Sequence, residues 1–188
     1  MSTWRAAFWA ALIDWRSHLK TLAVVVVVAW LANLWHAMGT AQGPAPSANA
    51  PLLKVNANEA ANLQDWLAAH RGQVVMVHFW ATWCPVCKAS EDNTERLRQA
   101  APGGRGWPLV SVAMQSGAGP AIERHLQRQG LPWPTVGDPD ATVAKAWGVG
   151  AVPTTFLVSP QGQIVGVSAG YTSTLGLWAR LMWAEWGW

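Results

Sequence analysis

The sequence is short of cysteine and of charge, and each shortage excludes something. Cys84 and Cys87 are the only two cysteines among 188 residues, and both stand in one C-x-x-C. No disulfide can therefore close a large loop and act as a scaffold. There is no second C-x-x-C and no H-x₃₋₅-H, so a zinc site would lack its usual four ligands. Stability must come from an apolar core, for which the residues after position 51 are numerous enough. Only 12% of residues are charged, a low share for a wholly soluble chain, which directs attention to a membrane segment. The formal charge of +3 sits largely at Arg5, Arg16 and Lys20. Beyond residue 50 acids and bases nearly balance, and no basic stripe of the kind that binds nucleic acid is present.

What is abundant is tryptophan, with fifteen copies, and an apolar run near the N-terminus. Residues 1–20 mix aromatic and basic side chains, and residues 21–38 then run without a charge through five consecutive valines, Val24 to Val28. That length is near the lower limit for a spanning helix. Trp30 and Trp35 lie where an aromatic belt would place them, and the bases all precede the run. The expectation is a single-pass membrane anchor, with a cytoplasmic N-terminus and the rest of the chain outside. The same stretch with Gly39-Thr40-Ala41 also has the form of a cleavable signal peptide; either form exports the domain. Residues 39–51, uncharged and rich in Ala and Pro, read as an extended linker.

From residue 52 to 188 helical and extended patterns alternate. Helices are expected over 58–70, 85–99, 120–129, 141–147 and 174–186. Strands are expected over 74–80, 109–114, 154–158 and 164–167, the last two joined by a turn-rich hairpin. The order βαβα, then a ββ hairpin, then α implies an α/β domain with a mixed central sheet and helices on both faces. In the last helix Trp178, Leu181, Met182 and Trp186 recur at helical spacing and read as a core stripe, while the final turn with Trp186 and Trp188 is a candidate to rest on lipid headgroups.

The chemistry is concentrated in Phe79-Trp80-Ala81-Thr82-Trp83-Cys84-Pro85-Val86-Cys87, which follows a buried strand and opens a helix. A thiol at a helix N-terminus faces unpaired N–H groups and the positive end of the macrodipole, both of which favour thiolate. Pro85 suits the first turn, where its missing N–H would be unpaired anyway. Cys87 returns to the same end of the helix, so the pair can open and close a disulfide. Cys84 would attack, and Cys87 would resolve the mixed disulfide.

This stretch resembles the active site of thioredoxin-like proteins, in particular the membrane-tethered TlpA/ResA-like branch. Gly148-Val149-Gly150-Ala151-Val152-Pro153-Thr154-Thr155 is similar to the family's cis-proline loop. The segment Ser168 to Ser173 and the Trp-rich helix after it look like suppressor-of-copper-sensitivity D-type protein disulfide oxidoreductases. The resemblance implies a thioredoxin-like fold preceded by a transmembrane helix. It also implies catalytic Cys84 and Cys87, a substrate surface at Trp83, Pro85, Val152 and Pro153, and no cofactor or metal. Its implied partners are protein substrates bearing cysteines or disulfides, and a membrane thiol-reducing hub as electron donor. His78 stands where thioredoxin has a buried aspartate. It could relay the proton of Cys87 or be an ordinary hydrogen-bonded core histidine. Thioredoxin's partnering lysine is absent, with Ser111 near its place. A periplasmic reductase is the expected function; the alternatives are a disulfide-donating oxidase and a Cu(I)-binding copper-tolerance module, since thiolates suit Cu(I).

Overall fold

The computed structural model describes residues 18–28, 31, 43–46, 49–53, 60–101, 104, 106–171 and 173–186, in two compact units that divide after residue 38. In the first unit residues 18–28 are helical, with Leu22, Val24, Val25, Val26, Val27 and Val28 exposed. Among the described residues no helix is long and apolar enough to cross a membrane. Positions 29, 30 and 32–38 of the expected span, and residues 1–17, lie outside the described set.

The second unit is built on strands β1 (Gly43–Pro44), β2 (Val75–Trp80), β3 (Leu109–Met114), β4 (Thr135–Asp138), β5 (Thr154–Val158) and β6 (Gln163–Ala169). Its helices are α1 (Leu63–Ala69), α2 (Pro85–Gln99), α3 (Gly119–Gln129), α4 (Thr142–Ala146) and α5 (Thr174–Trp186). The sheet order is β1-β6-β5-β2-β3-β4. Strands β2, β3 and β4 are parallel, and β5, β6 and β1 pair antiparallel. The mixed sheet is the expected one, and β2 lies inside it with every residue buried.

Strand alternation sorts β2 into two cores. Val75, Val77 and Phe79 face a cluster with Leu63 and Trp66 of α1, Trp147 and Phe156. Met76 and Trp80 face the other, with Cys87 and Leu97 of α2, Ile122 and Leu126 of α3, and Leu177 and Leu181 of α5. Covering both faces explains why β2 reads as an unbroken apolar run. The single polar residue within that run, His78, falls by register on the Met76/Trp80 side, beneath α2.

Four details differ from the sequence expectation. Helix α1 starts at Leu63 rather than residue 58, because the Asn62 side chain accepts the Asp65 backbone N–H at 2.8 Å and caps it. Asn favours that flanking position over a helix interior. Asn62→Ala is expected to cost about 1 kcal/mol of stability, measurable as a lowered denaturation midpoint at unchanged slope. Strand β4 falls in a stretch for which the sequence suggests neither helix nor strand: it is four residues long, ends in Gly137-Asp138, and is flanked by prolines. It pairs with β3 all the same, and the Asp138 carboxylate accepts the Val143 and Ala144 N–H groups at 3.1 and 2.9 Å at the start of α4.

The linker is not a free spacer. Gly43 and Pro44 pair with Ile164 and Gln163, the Ala45 N–H donates to the Gly162 carbonyl, and Leu52 bridges Val136. Nor is the stripe of α5 core throughout. Leu177, Leu181 and Ala184 are buried, whereas Trp178 is 41% exposed.

Candidate active site

Cys84 is the N-cap of α2, in an extended conformation (φ −91°, ψ 109°). Its Sγ takes the place that a serine or threonine oxygen usually fills, accepting the Cys87 backbone N–H at 3.0 Å. Pro85 opens the helix at no cost in hydrogen bonds and is exposed, as is Val86. Cys84 and Cys87 are joined by a disulfide, with Cα atoms 5.2 Å apart. Their accessibility differs: Cys87 is fully covered, and Cys84 keeps 5% of its surface. Any partner sulfur must therefore meet Cys84 first.

Across from the disulfide is the loop before β5. The Val152–Pro153 peptide bond is cis, as the resemblance implied, and the Val152 carbonyl oxygen lies 3.6 Å from Cys84 Sγ. The loop is tied at both sides. Thr154 Oγ1 donates to the Ala151 carbonyl at 2.8 Å, and the Pro153 carbonyl accepts the Gly170 N–H at 2.7 Å. Trp83 is 57% exposed, and its indole N–H donates to the Gln115 carbonyl at 3.0 Å. The neighbouring Thr82 N–H is held by Ser116 Oγ. Trp83, Pro85, Val152 and Pro153 are thus gathered around Cys84.

His78 lies beneath this assembly. Its Nδ1 is 2.9 Å from Thr155 Oγ1, and its Nε2 has no hydrogen-bond partner among the described residues. Burial pulls its pKa down to about 4, so the ring is neutral near pH 7 and adds no positive charge to favour thiolate. A cavity of about 10 Å³, lined by His78, Ser90, Thr94, Pro153 and Thr155 among others, separates it from α2. That space is about one water molecule in size. Ser111 is aligned with His78 across the β2–β3 pair, but its hydroxyl is engaged elsewhere. Trp80 donates to Ser111 Oγ at 3.0 Å, and Ser111 meets Thr135 Oγ1 at 2.8 Å, which in turn donates to the Trp133 carbonyl. Ser111→Ala leaves the buried indole N–H unpaired and is expected to cost about 2 kcal/mol, read from chemical denaturation.

Some neighbours had no signal in the linear sequence. Gln115 adopts φ +48°, unusual for a residue other than glycine, and presents its carbonyl to Trp83. Tyr171, 58% exposed, accepts the Asn93 side-chain N–H at 2.8 Å. Glu91, one turn beyond Cys87, is buried against His125, with Oε1 and Nε2 2.8 Å apart. Burial raises the Glu91 pKa, while the hydrogen bond to His125 opposes the rise. Among the described residues no group of three His, Cys, Asp or Glu side chains is placed to hold a metal ion.

Comparison with known proteins places this geometry. The sequence profile of the AhpC/TSA family matches residues 41–167. The chain is 33% identical over 110 residues to a thioredoxin-like protein of Haemophilus influenzae, covering 58% of this chain and 62% of that one. It is 31% identical over 100 residues to the thiol-disulfide oxidoreductase ResA of Bacillus subtilis, covering 53% and 55%. It therefore spans less than two thirds of the length of these relatives. A thiol:disulfide interchange protein of the thioredoxin family from Chlorobium tepidum shares the fold, with a TM-score of 0.61, 22% identity, and coverage of 77% of this chain and 97% of that one. With a C-x-x-C at a helix N-terminus facing a cis-proline loop, the chain belongs to the AhpC/TSA family, in its thioredoxin-like, TlpA/ResA-like branch.

Proposed function

We propose that this chain is a thiol–disulfide oxidoreductase acting on protein cysteines, held at the outer face of a bacterial inner membrane and working as a reductase. The observation that carries the chemistry is the placement of Cys84. It is a sulfur at a helix N-terminus, the more accessible of the pair, set against the Val152 carbonyl.

The reaction starts from the dithiol. The Cys84 thiolate attacks one sulfur of a substrate disulfide, an S–S bond forms between Cys84 and the substrate, and the other substrate sulfur leaves as thiolate. Cys87, having lost its proton, then attacks Cys84 Sγ. The second substrate sulfur leaves, and two electrons have passed to the substrate while Cys84–Cys87 closes. His78 Nε2, buried and without a hydrogen-bond partner among the described residues, lies beside a water-sized cavity and is suited to relay the Cys87 proton. A second dithiol donor, a thiol-reducing hub in the membrane, would reopen the disulfide. Relatives named as thiol-disulfide oxidoreductases support the exchange chemistry, and the charge-free run over 21–38 behind a basic segment supports the tether and its direction.

The test is the redox state of Cys84 and Cys87 in intact cells, trapped by alkylation with a mass-shifting reagent. A mainly reduced pair is expected. A mainly oxidised pair would overturn the reductase direction in favour of a disulfide donor.

A further inference from the structure

The outer face of α5 breaks the usual pattern for a surface helix, whose solvent side is polar. Leu175, Ala179 and Trp183, at spacing i, i+4 and i+8, share its outer side. Leu175 is 73% exposed and Trp183 76%. Between residues 174 and 186 the only charges are Arg180 and Glu185. The Arg180 guanidinium is turned onto the Val167 carbonyl, and Glu185 accepts the Trp107 indole N–H. The apolar surface continues from Trp183 into a groove of about 320 Å³ formed with Leu157, Val165 and Val167. Contiguous apolar surface of this kind marks a contact site.

What covers it follows from where the chain enters the domain. Gly43 pairs with Ile164 at the start of β6, only five residues past the end of the apolar run at position 38. Five residues reach at most about 18 Å. A bilayer holding that run would therefore keep the start of β6 close to its surface. The Trp183 groove opens beside Val165, the next residue along that strand. The redox site is at the opposite end of the sheet. Ile164 is level with Val158 and Val75, whereas Ala169 is level with Thr154 and Phe79, and Cys84 lies beyond that end. An exposed tryptophan on an apolar helix face beside a short tether suits the headgroup–acyl boundary.

We infer that the C-terminal half of the outer face of α5, around Ala179 and Trp183, rests on the lipid surface and holds the disulfide end of the domain away from the membrane. This rests on the proposed tether. The test uses the oxidised full-length chain, whose own cysteines are then unreactive, in phosphatidylethanolamine/phosphatidylglycerol vesicles carrying a headgroup quencher. A fluorophore is attached at Ala179→Cys on α5 or, as control, at Gln127→Cys on α3. At least about twofold more quenching at 179 than at 127 is expected. Trp183→Ser should remove that difference while leaving reduction of 2-hydroxyethyl disulfide unchanged. A chain that floats with the vesicles but is quenched equally at both positions overturns the inference and leaves the tether standing. A chain that does not float overturns the tether, and the inference with it. Cross-linking of the chain to a second copy through position 179, without quenching, overturns it in favour of self-association.

Discussion

Cys84→Ala should abolish reduction of a protein disulfide, a fall of at least about 1,000-fold as expected for loss of a nucleophile. Cys87→Ala should instead accumulate a mixed disulfide between Cys84 and the substrate. The asymmetry comes from burial and from the helix. Cys84 is the only residue of the pair with any exposed surface, and its sulfur receives the Cys87 N–H at the positive end of a fifteen-residue helix. Cys87 has no exposed surface through which a protein substrate could reach it, so it cannot take over the first attack. Non-reducing electrophoresis after incubation with a disulfide-bonded substrate separates the outcomes. Trapping on Cys87 in the Cys84→Ala variant would reverse the assignment of the two sulfurs.

The parts of this site that were legible in the sequence are those written locally. Cys84, Pro85 and Cys87 lie within one turn of each other, and an apolar strand followed by a helix signal placed them at a helix N-terminus. The proline loop was legible through its resemblance, and so was its partnership with the cysteines, although Val152 and Cys84 are 68 residues apart. What stayed hidden depends on contacts between distant segments with no pattern of their own. The Glu91–His125 pair joins α2 to α3, the Asn93–Tyr171 bond joins α2 to the loop before α5, and the seat of Trp83 on Gln115 depends on one left-handed residue. Strand β4 was missed for a related reason. Thr135-Val136 suits a strand but Gly137-Asp138 does not, which leaves too short a run to read, and the pairing with β3 outweighs that weakness. In α5 the 3.6-residue period was visible, but period alone does not say which side is buried when both sides are apolar.

Lowering the pH from 7 to 4 should destabilise the protein by an amount that depends on His78. The pKa of His78 is depressed from 6.5 to about 4 by burial, so between those values the unfolded chain binds a proton that the folded chain refuses. Stability is full above about pH 6.5 and falls as pH drops toward 4, by about 3 kcal/mol at 1.36 kcal/mol per unit. Glu91 acts in the opposite sense. Its raised pKa means that the folded chain holds a proton longer, so its contribution declines as pH rises above the ordinary carboxylate range. Both effects are present in the wild type, and only the first is removed by His78→Asn, which keeps a polar atom near Thr155. The difference in unfolding free energy between the two proteins should therefore shift by about 3 kcal/mol between pH 7 and pH 4, in favour of the variant at low pH. The same substitution removes the free Nε2, and resolution of the mixed disulfide at pH 7 should slow by about 100-fold while the first attack is unchanged. A variant with an unchanged stability slope would mean that His78 is not held neutral by burial. An unchanged resolution rate with an altered slope would leave His78 as a core residue, and the Cys87 proton would then have to leave by another route.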